Sequence, residues 1–262
     1  MPALDLDGLR SRPRHIYLSP HFDDAVLSCG GAIAARAAAG EPVLVVTICS
    51  AEPSGELTAF ARHLHAQWGD EQQPIATRRR EDRRAVERLG AEVIWLDALD
   101  AIYRQPAYDS VEAIFGAPVA DDPLYGKLDR AIALLATRFK DAAWHAPLAV
   151  GNHVDHQITY QIASNAAALQ RSLRFYEDLP YAARPGAVDA RLAVLGGTWT
   201  REEIDIGATL EPKLAAVADY ASQIKELFGD EAQMRAALAG HAAASAPDGA
   251  AHGERTYRRA RP

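Results

Sequence analysis

The run Pro42-Val43-Leu44-Val45-Val46-Thr47-Ile48-Cys49 constrains this chain more than any other stretch, because it is apolar almost throughout and shows no alternation. A strand with one face in water alternates apolar and polar residues, whereas a strand covered by helices on both faces does not. Such double coverage belongs to parallel sheets in α/β proteins. The flanking sequence agrees. His15 to Ser19 reads as a short strand, and from Asp24 onward Val26, Leu27, Ile33 and Ala34 recur at helical spacing. Strand, helix and strand within about 35 residues make a βαβ unit with a right-handed crossover.

The pattern repeats along the chain. Thr77 to Leu89 reads as a charged helix stopped by Gly90, and Ala91 to Leu96 as a third strand. Leu128, Ile132, Leu135 and Phe139 form one stripe of a helix over 124–140, and Ala146 to Val150 and Leu173 to Tyr176 read as strands four and five. Arg191 to Trp199 suggests an edge strand, since Gly196-Gly197 argues against a central one. Residues 210–228 and 231–238 read as helices. Two segments, 50–74 and 97–123, lack periodicity except for a short helix near Phe60 to Trp68, and both leave the carboxyl ends of strands, where open α/β sheets place their ligand crevice. The expected fold is a Rossmann-like three-layer α/β sandwich with a mostly parallel sheet and its active site at those carboxyl ends. Residues 1–241 are expected to form a single domain. Residues 242–262, rich in Ala, Gly, Ser and Arg, are expected to be a mobile tail, although Glu254 to Arg259 is long enough to dock.

Composition narrows the function. With 262 residues the chain has ample length for a large core. A formal charge of -7 and a pI near 5.7 supply no global basic field for nucleic acid or anionic lipid. The only cysteines, Cys29 and Cys49, lie far apart in apolar surroundings, so neither a disulfide framework nor a thiolate zinc cluster is expected, and a reducing cytoplasm is the expected location. No run approaches the ~18 apolar residues of a membrane span, and no apolar core of signal-peptide length precedes residue 15.

Two polar clusters carry the chemistry. Pro20-His21-Phe22-Asp23-Asp24 follows strand one, and His153-Val154-Asp155-His156 follows strand four. In a parallel sheet these strand ends share one edge, so the clusters converge. His21, Asp24 and either His153 or His156 then supply the three nitrogen or oxygen ligands of a catalytic zinc site. The plain alternative is structural: Asp23 or Asp24 caps the following helix and Asp155 pairs locally with a histidine. Gly30-Gly31 invites a rival reading as a nucleotide- or S-adenosylmethionine-binding module without hydrolytic activity. That segment lacks the G-x-G-x-x-G spacing, and the rival leaves the paired clusters without a shared purpose.

Together these motifs resemble the PIG-L/LmbE family of zinc-dependent N-acetylglucosamine-type deacetylases, whose usual motifs are His-Pro-Asp-Asp and His-x-Asp-His. Arg78-Arg79-Arg80-Glu81 is similar to the family's Arg-x-x-Glu helix, Tyr176-Glu177-Asp178-Leu179-Pro180 to its Tyr-Glu-x-x-Pro segment, and Lys213 with Ser222-Gln223 to its late Lys and Ser-Gln helix. The resemblance runs from about residue 14 to 228. Two departures stand out: Phe22 where proline is common, and Ala25 where many members carry glutamate.

The resemblance implies one Zn2+ per chain held by His21, Asp24 and His156, with Asp23 as general base. It further implies that His153, protonated, stabilises the oxyanion or protonates the leaving amine, that Asp155 orients His153, and that Arg78 faces the polar head of the substrate. Tyr103 is a stacking candidate for a sugar ring or acyl chain. The implied reaction is hydrolysis of a linear amide, removing an N-acyl group from an N-acetylated sugar or glycoconjugate by metal-activated water, with neither nucleic acid nor a membrane span involved. His63 and His65 are expected to be exposed or lid residues.

Overall fold

A computed structural model describes residues 6, 8–68, 73–104 and 106–260. Its centre is a seven-stranded sheet in the order β3-β2-β1-β4-β5-β7-β6. Strands β1 (His15–Ser19), β2 (Val43–Cys49), β3 (Glu92–Ala98), β4 (Ala143–Pro147) and β5 (Leu173–Tyr176) are parallel. Strand β6 (Trp199–Asp205) forms one edge, and β7 (Gly253–Arg259) lies antiparallel between β5 and β6.

The unbroken apolar character of β2 has the cause expected of it. Leu44, Val46 and Ile48 face one hydrophobic core, and Val43 and Val45 face the other. The first core is closed by α5 (Pro123–Arg138) and α6 (Val154–Asn165), with α7 (Ala187–Leu195) packed at its margin. The second is closed by α1 (Asp24–Ala38), α3 (Pro74–Arg88), α8 (Leu210–Ala218) and α10 (Glu231–Ala244). Burial of aliphatic side chains on both faces, at ~25 cal/mol per Å² of apolar surface, drives this layering. Two short helices, α2 (Ala59–Gln67) and α4 (Val111–Ile114), interrupt the aperiodic segments above the carboxyl edge. Thr58 caps α2, its side chain accepting from the Ala61 N–H at 3.1 Å.

Three expectations are corrected. Residues 191–199 do not form a strand: the helix α7 runs to Leu195, and Gly196 and Gly197, both at positive φ, turn the chain into β6. The helix expected over 210–228 is two, because Glu81 accepts from both the N–H and the hydroxyl of Ser222, fixing the break between α8 and α9 (Ala221–Phe228). The tail is not mobile over its described part. Helix α10 extends to Ala244, and β7 pairs with β6 along its whole length, leaving only residues 261–262 of that segment outside the described residues. Glu254 anchors the strand, pairing with buried Lys213 at 2.7 Å and accepting from the N–H groups of Gly31 and Ala32. Gly31 serves this packing: a Cβ there meets three carbons of Ile206 at 2.8 Å. The Gly30-Gly31 pair therefore belongs to helix packing and not to a phosphate-binding turn.

Candidate metal centre and active site

The site is built at the carboxyl ends of the parallel strands. The turn after β1 delivers His21, Asp23 and Asp24, and α6, entered from β4, delivers His156. One atom each of His21, Asp24 and His156 fall within 4.8 Å of one another. Asp24 Oδ2 lies 3.2 Å from His21 Nδ1 and 3.2 Å from His156 Nε2. Burial alone disfavours every charge here, and the pairing overrides it. Asp24 is held well below the usual carboxylate range by His156 and His21, while Asp24 and Asp178 raise His156 to about 9. Two imidazole nitrogens and a carboxylate oxygen match the three-ligand set of a catalytic metal site.

The opposite ring nitrogens are fixed from behind. His156 Nδ1 stands 2.6 Å from Asp178 Oδ1, at the end of β5. His21 Nε2 stands 3.0 Å from Asp155 Oδ2 and 3.5 Å from Asp100 Oδ2. Carboxylates in these places hold each ring's tautomer and turn the other nitrogen toward a metal. Asp155 is fully buried, and Arg104 at 2.6 Å compensates its charge; Arg104 in turn binds Asp122 at 2.9 Å.

The capping alternative fails for a specific reason. Ser19 Oγ accepts from the Ala25 N–H at 3.0 Å and donates to the His21 carbonyl at 2.6 Å. Asp23, although it occupies the N-cap position of α1, makes no side-chain capping bond. Its carboxylate instead faces Arg78 at 3.7 Å and lines the cleft. Burial raises its pKa, opposed by Arg78 and reinforced by Asp24. Arg78 is not paired with Glu81, which binds Ser222. Its guanidinium lies 4.8 Å from the Trp68 ring and 5.3 Å from the Phe22 ring, and its buried Nε has no hydrogen-bond partner among the described residues.

Four expectations about individual residues change. Asp155 holds His153 through its backbone N–H, while its carboxylate, 4.0 Å from His153 Nδ1, backs His21, because the first turn of α6 points it toward β1. His153 is disfavoured as a cation: burial and the neighbouring His21 push its pKa down to about 3, and its Nδ1 accepts the Asp155 N–H at 3.3 Å. Tyr103 does not line the cleft. Its hydroxyl pairs with His65 at 2.5 Å, and it borders a separate cavity of about 210 Å³ beside Ile102. His65 is accordingly buried rather than exposed.

The cleft itself, about 280 Å³, places His21, Asp23, Asp24, Arg78 and His153 opposite an apolar wall from α2, α4 and α9 that includes Phe60, Leu64 and Phe115. A larger groove of about 900 Å³ near the β6–β7 edge has neither histidine nor carboxylate among its described lining residues. Sequence reasoning gave no role to Asp100, Arg104 or Tyr181 and named Asp178 only as part of a motif. The signal for Asp100 and Asp178 was their place just past the carboxyl ends of strands.

The profile described as PIG-L, GlcNAc-PI de-N-acetylase, matches residues 16–167. The chain is 31% identical over 220 residues to a 2'-N-acetylparomamine deacetylase of Streptomyces fradiae, covering 81% of this chain and 74% of the relative. A protein of the same description from Niallia circulans is 28% identical over 241 residues, covering 84% of each. Among solved structures, a deacetylase of teicoplanin biosynthesis superposes with a TM-score of 0.82 at 28% identity, covering 94% of this chain and 98% of the other. The two motif clusters, their convergence at one sheet edge and these likenesses agree: the chain belongs to the PIG-L family and is a deacetylase, a hydrolase of C–N bonds other than peptide bonds.

Proposed function

We propose that the chain removes an N-acetyl group from an amino sugar or sugar conjugate, using one zinc ion held by His21, Asp24 and His156. The observation that carries this is the convergence of those three donors beside Asp23, a carboxylate left free of both capping and ligation. The relatives named for N-acetylparomamine and teicoplanin support a substrate in which the amino sugar is part of a larger conjugate.

When bound, zinc polarises the acyl carbonyl and lowers the pKa of its water from about 15.7 to about 7. Asp23 takes the proton from the attacking water, and its raised pKa suits it to hold that proton. His153 acts as a neutral donor. With Nδ1 committed to the Asp155 N–H, its ring proton is assigned to Nε2, available to the acyl oxygen as that oxygen gains charge. Arg78 lines the cleft wall beside Asp23, where its guanidinium is placed to face the polar head of the substrate. The two cysteines are free and buried, which fits a cytoplasmic location, and no helix among the described residues is long and apolar enough to cross a membrane.

The test combines metal analysis of the purified protein with amine release from a panel of N-acetylglucosamine derivatives and N-acetylated aminoglycosides. Zinc near one per chain, with amine release lost on chelation and restored by zinc, is the expected result. Tight binding of nucleotide or S-adenosylmethionine without metal or amine release would overturn it.

A further inference from the structure

Tyr181 begins a short turn after β5, and its ring forms part of the cleft wall with His153, Asp23 and Asp24. A missing side chain sets its position. A Cβ on Gly151 would lie 2.3 to 2.6 Å from Cγ, Cδ2 and Cδ1 of Tyr181, far inside the ~3.5–4.0 Å of a carbon contact. The ring therefore lies against the bare backbone of the loop that carries His153. His156, at 6.1 Å between ring centroids and nearly perpendicular, and Phe115, at 6.0 Å, flank the same ring.

The hydroxyl held in this way has no hydrogen-bond partner among the described residues. Tyr17, Tyr108, Tyr176, Tyr220 and Tyr257 all have one, to Arg36, Asp122, the Leu18 carbonyl, Asp82 and Glu177 respectively. Tyr181 is half-buried and lines the cleft, so its unpaired hydroxyl is open to a bound substrate. Asp23, Asp24 and His153 line the same cleft, so Tyr181 stands at its reacting end. At neutral pH a phenol is a donor.

We propose that the Tyr181 hydroxyl donates a hydrogen bond to the acyl oxygen as it becomes negative, forming with His153 a two-donor oxyanion hole. This rests on the hydrolytic reading above. The water oxygen bonds to the acyl carbon, the carbonyl π pair moves onto the acyl oxygen, and Asp23 takes the water's proton. That pair then re-forms the carbonyl as the C–N bond breaks, and the nitrogen keeps the bonding electrons and takes from Asp23 the proton that came from the water. Acetic acid and amine leave, the acid then giving its proton to the amine at neutral pH, and Tyr181 keeps its own proton throughout.

The test is Tyr181→Phe in the metal-loaded protein. The expected result is a fall in kcat of about 10²–10³-fold with KM within about twofold and metal content unchanged. A methylphosphonamidate analogue of the N-acetyl sugar, whose tetrahedral oxygens carry the charge, should bind the variant weaker by the same factor. Gly151→Ala, which displaces the ring, should lower kcat similarly, and the double variant should be no slower than Tyr181→Phe. Unchanged kcat, a change confined to KM, or loss of metal in Tyr181→Phe would overturn the assignment. If the wild-type protein releases no amine, this role and the hydrolytic reading fall together. An active wild type with an unimpaired Tyr181→Phe removes Tyr181 alone.

Discussion

Two adjacent aspartates at the start of α1 have different work because Ser19 takes over the capping. With the Ala25 N–H bonded to Ser19 Oγ, Asp24 turns to the histidines and Asp23 turns to the cleft. Asp23→Asn should therefore keep its metal and lose about 10²–10⁴-fold in turnover, measured by metal analysis alongside amine release. His156→Ala should lose the metal itself, and full occupancy in that variant would exclude it as a ligand. Asp178→Ala leaves every proposed ligand in place but removes the acceptor of His156 Nδ1, so titration should show metal affinity lower by about 10–100-fold. His21, Asp24 and His156 were legible in the sequence because they sit in short motifs just past strands. The carboxylate behind each ring was not, since which nitrogen faces the metal is settled only when β5 and the segment after β3 come alongside. Asp155 illustrates the limit: adjacency suggested its carboxylate for His153, which receives only its N–H, and the helical turn gave the carboxylate to His21.

Helix α3 joins the site to the far helices. Arg78 reaches the cleft, Glu81 holds Ser222 one turn later, and Asp82, fully buried, accepts from Thr47, Trp95 and Tyr220. These donors are neutral, so burial dominates and raises the Asp82 pKa to about 7. The raised value means the folded state binds this proton more tightly than the unfolded chain. The stability it contributes is complete below pH ~4 and disappears as pH rises through about 7. Asp82→Asn, which stays neutral, should thus gain on the wild type between pH 5 and 8. At about 1.4 kcal/mol per pKa unit the gain is at most a few kcal/mol, read from denaturation at several pH values. A pH-independent difference would refute this. At this scale the strands were the most legible elements, since their apolar runs report burial directly. The break between α8 and α9 was hidden, because 210–228 is helical in propensity throughout and the interruption is imposed by Glu81.

The molecule as a whole is closed by an ion pair between distant segments. Lys213 of α8 and Glu254 of β7 are 1% and 5% exposed, so neither charge has water to replace a lost partner. Lys213→Met should destabilise the fold by about 3–5 kcal/mol in a denaturant titration, and adding Glu254→Leu should recover part of that loss. Strand β7 was difficult to read because Gly-Glu-Arg-Thr-Tyr-Arg-Arg has the composition of a solvated segment. Only Tyr257 enters a hydrophobic core, and the strand is held by backbone pairing on both sides and by Glu254. Its place in the sheet also has a consequence for biosynthesis. The strand made later lies inside the one made earlier, so β6 has no partner in the final sheet until residues 253–259 have emerged and inserted. During synthesis β5 is left as a temporary open edge, the state in which a nascent sheet is most open to pairing with another chain.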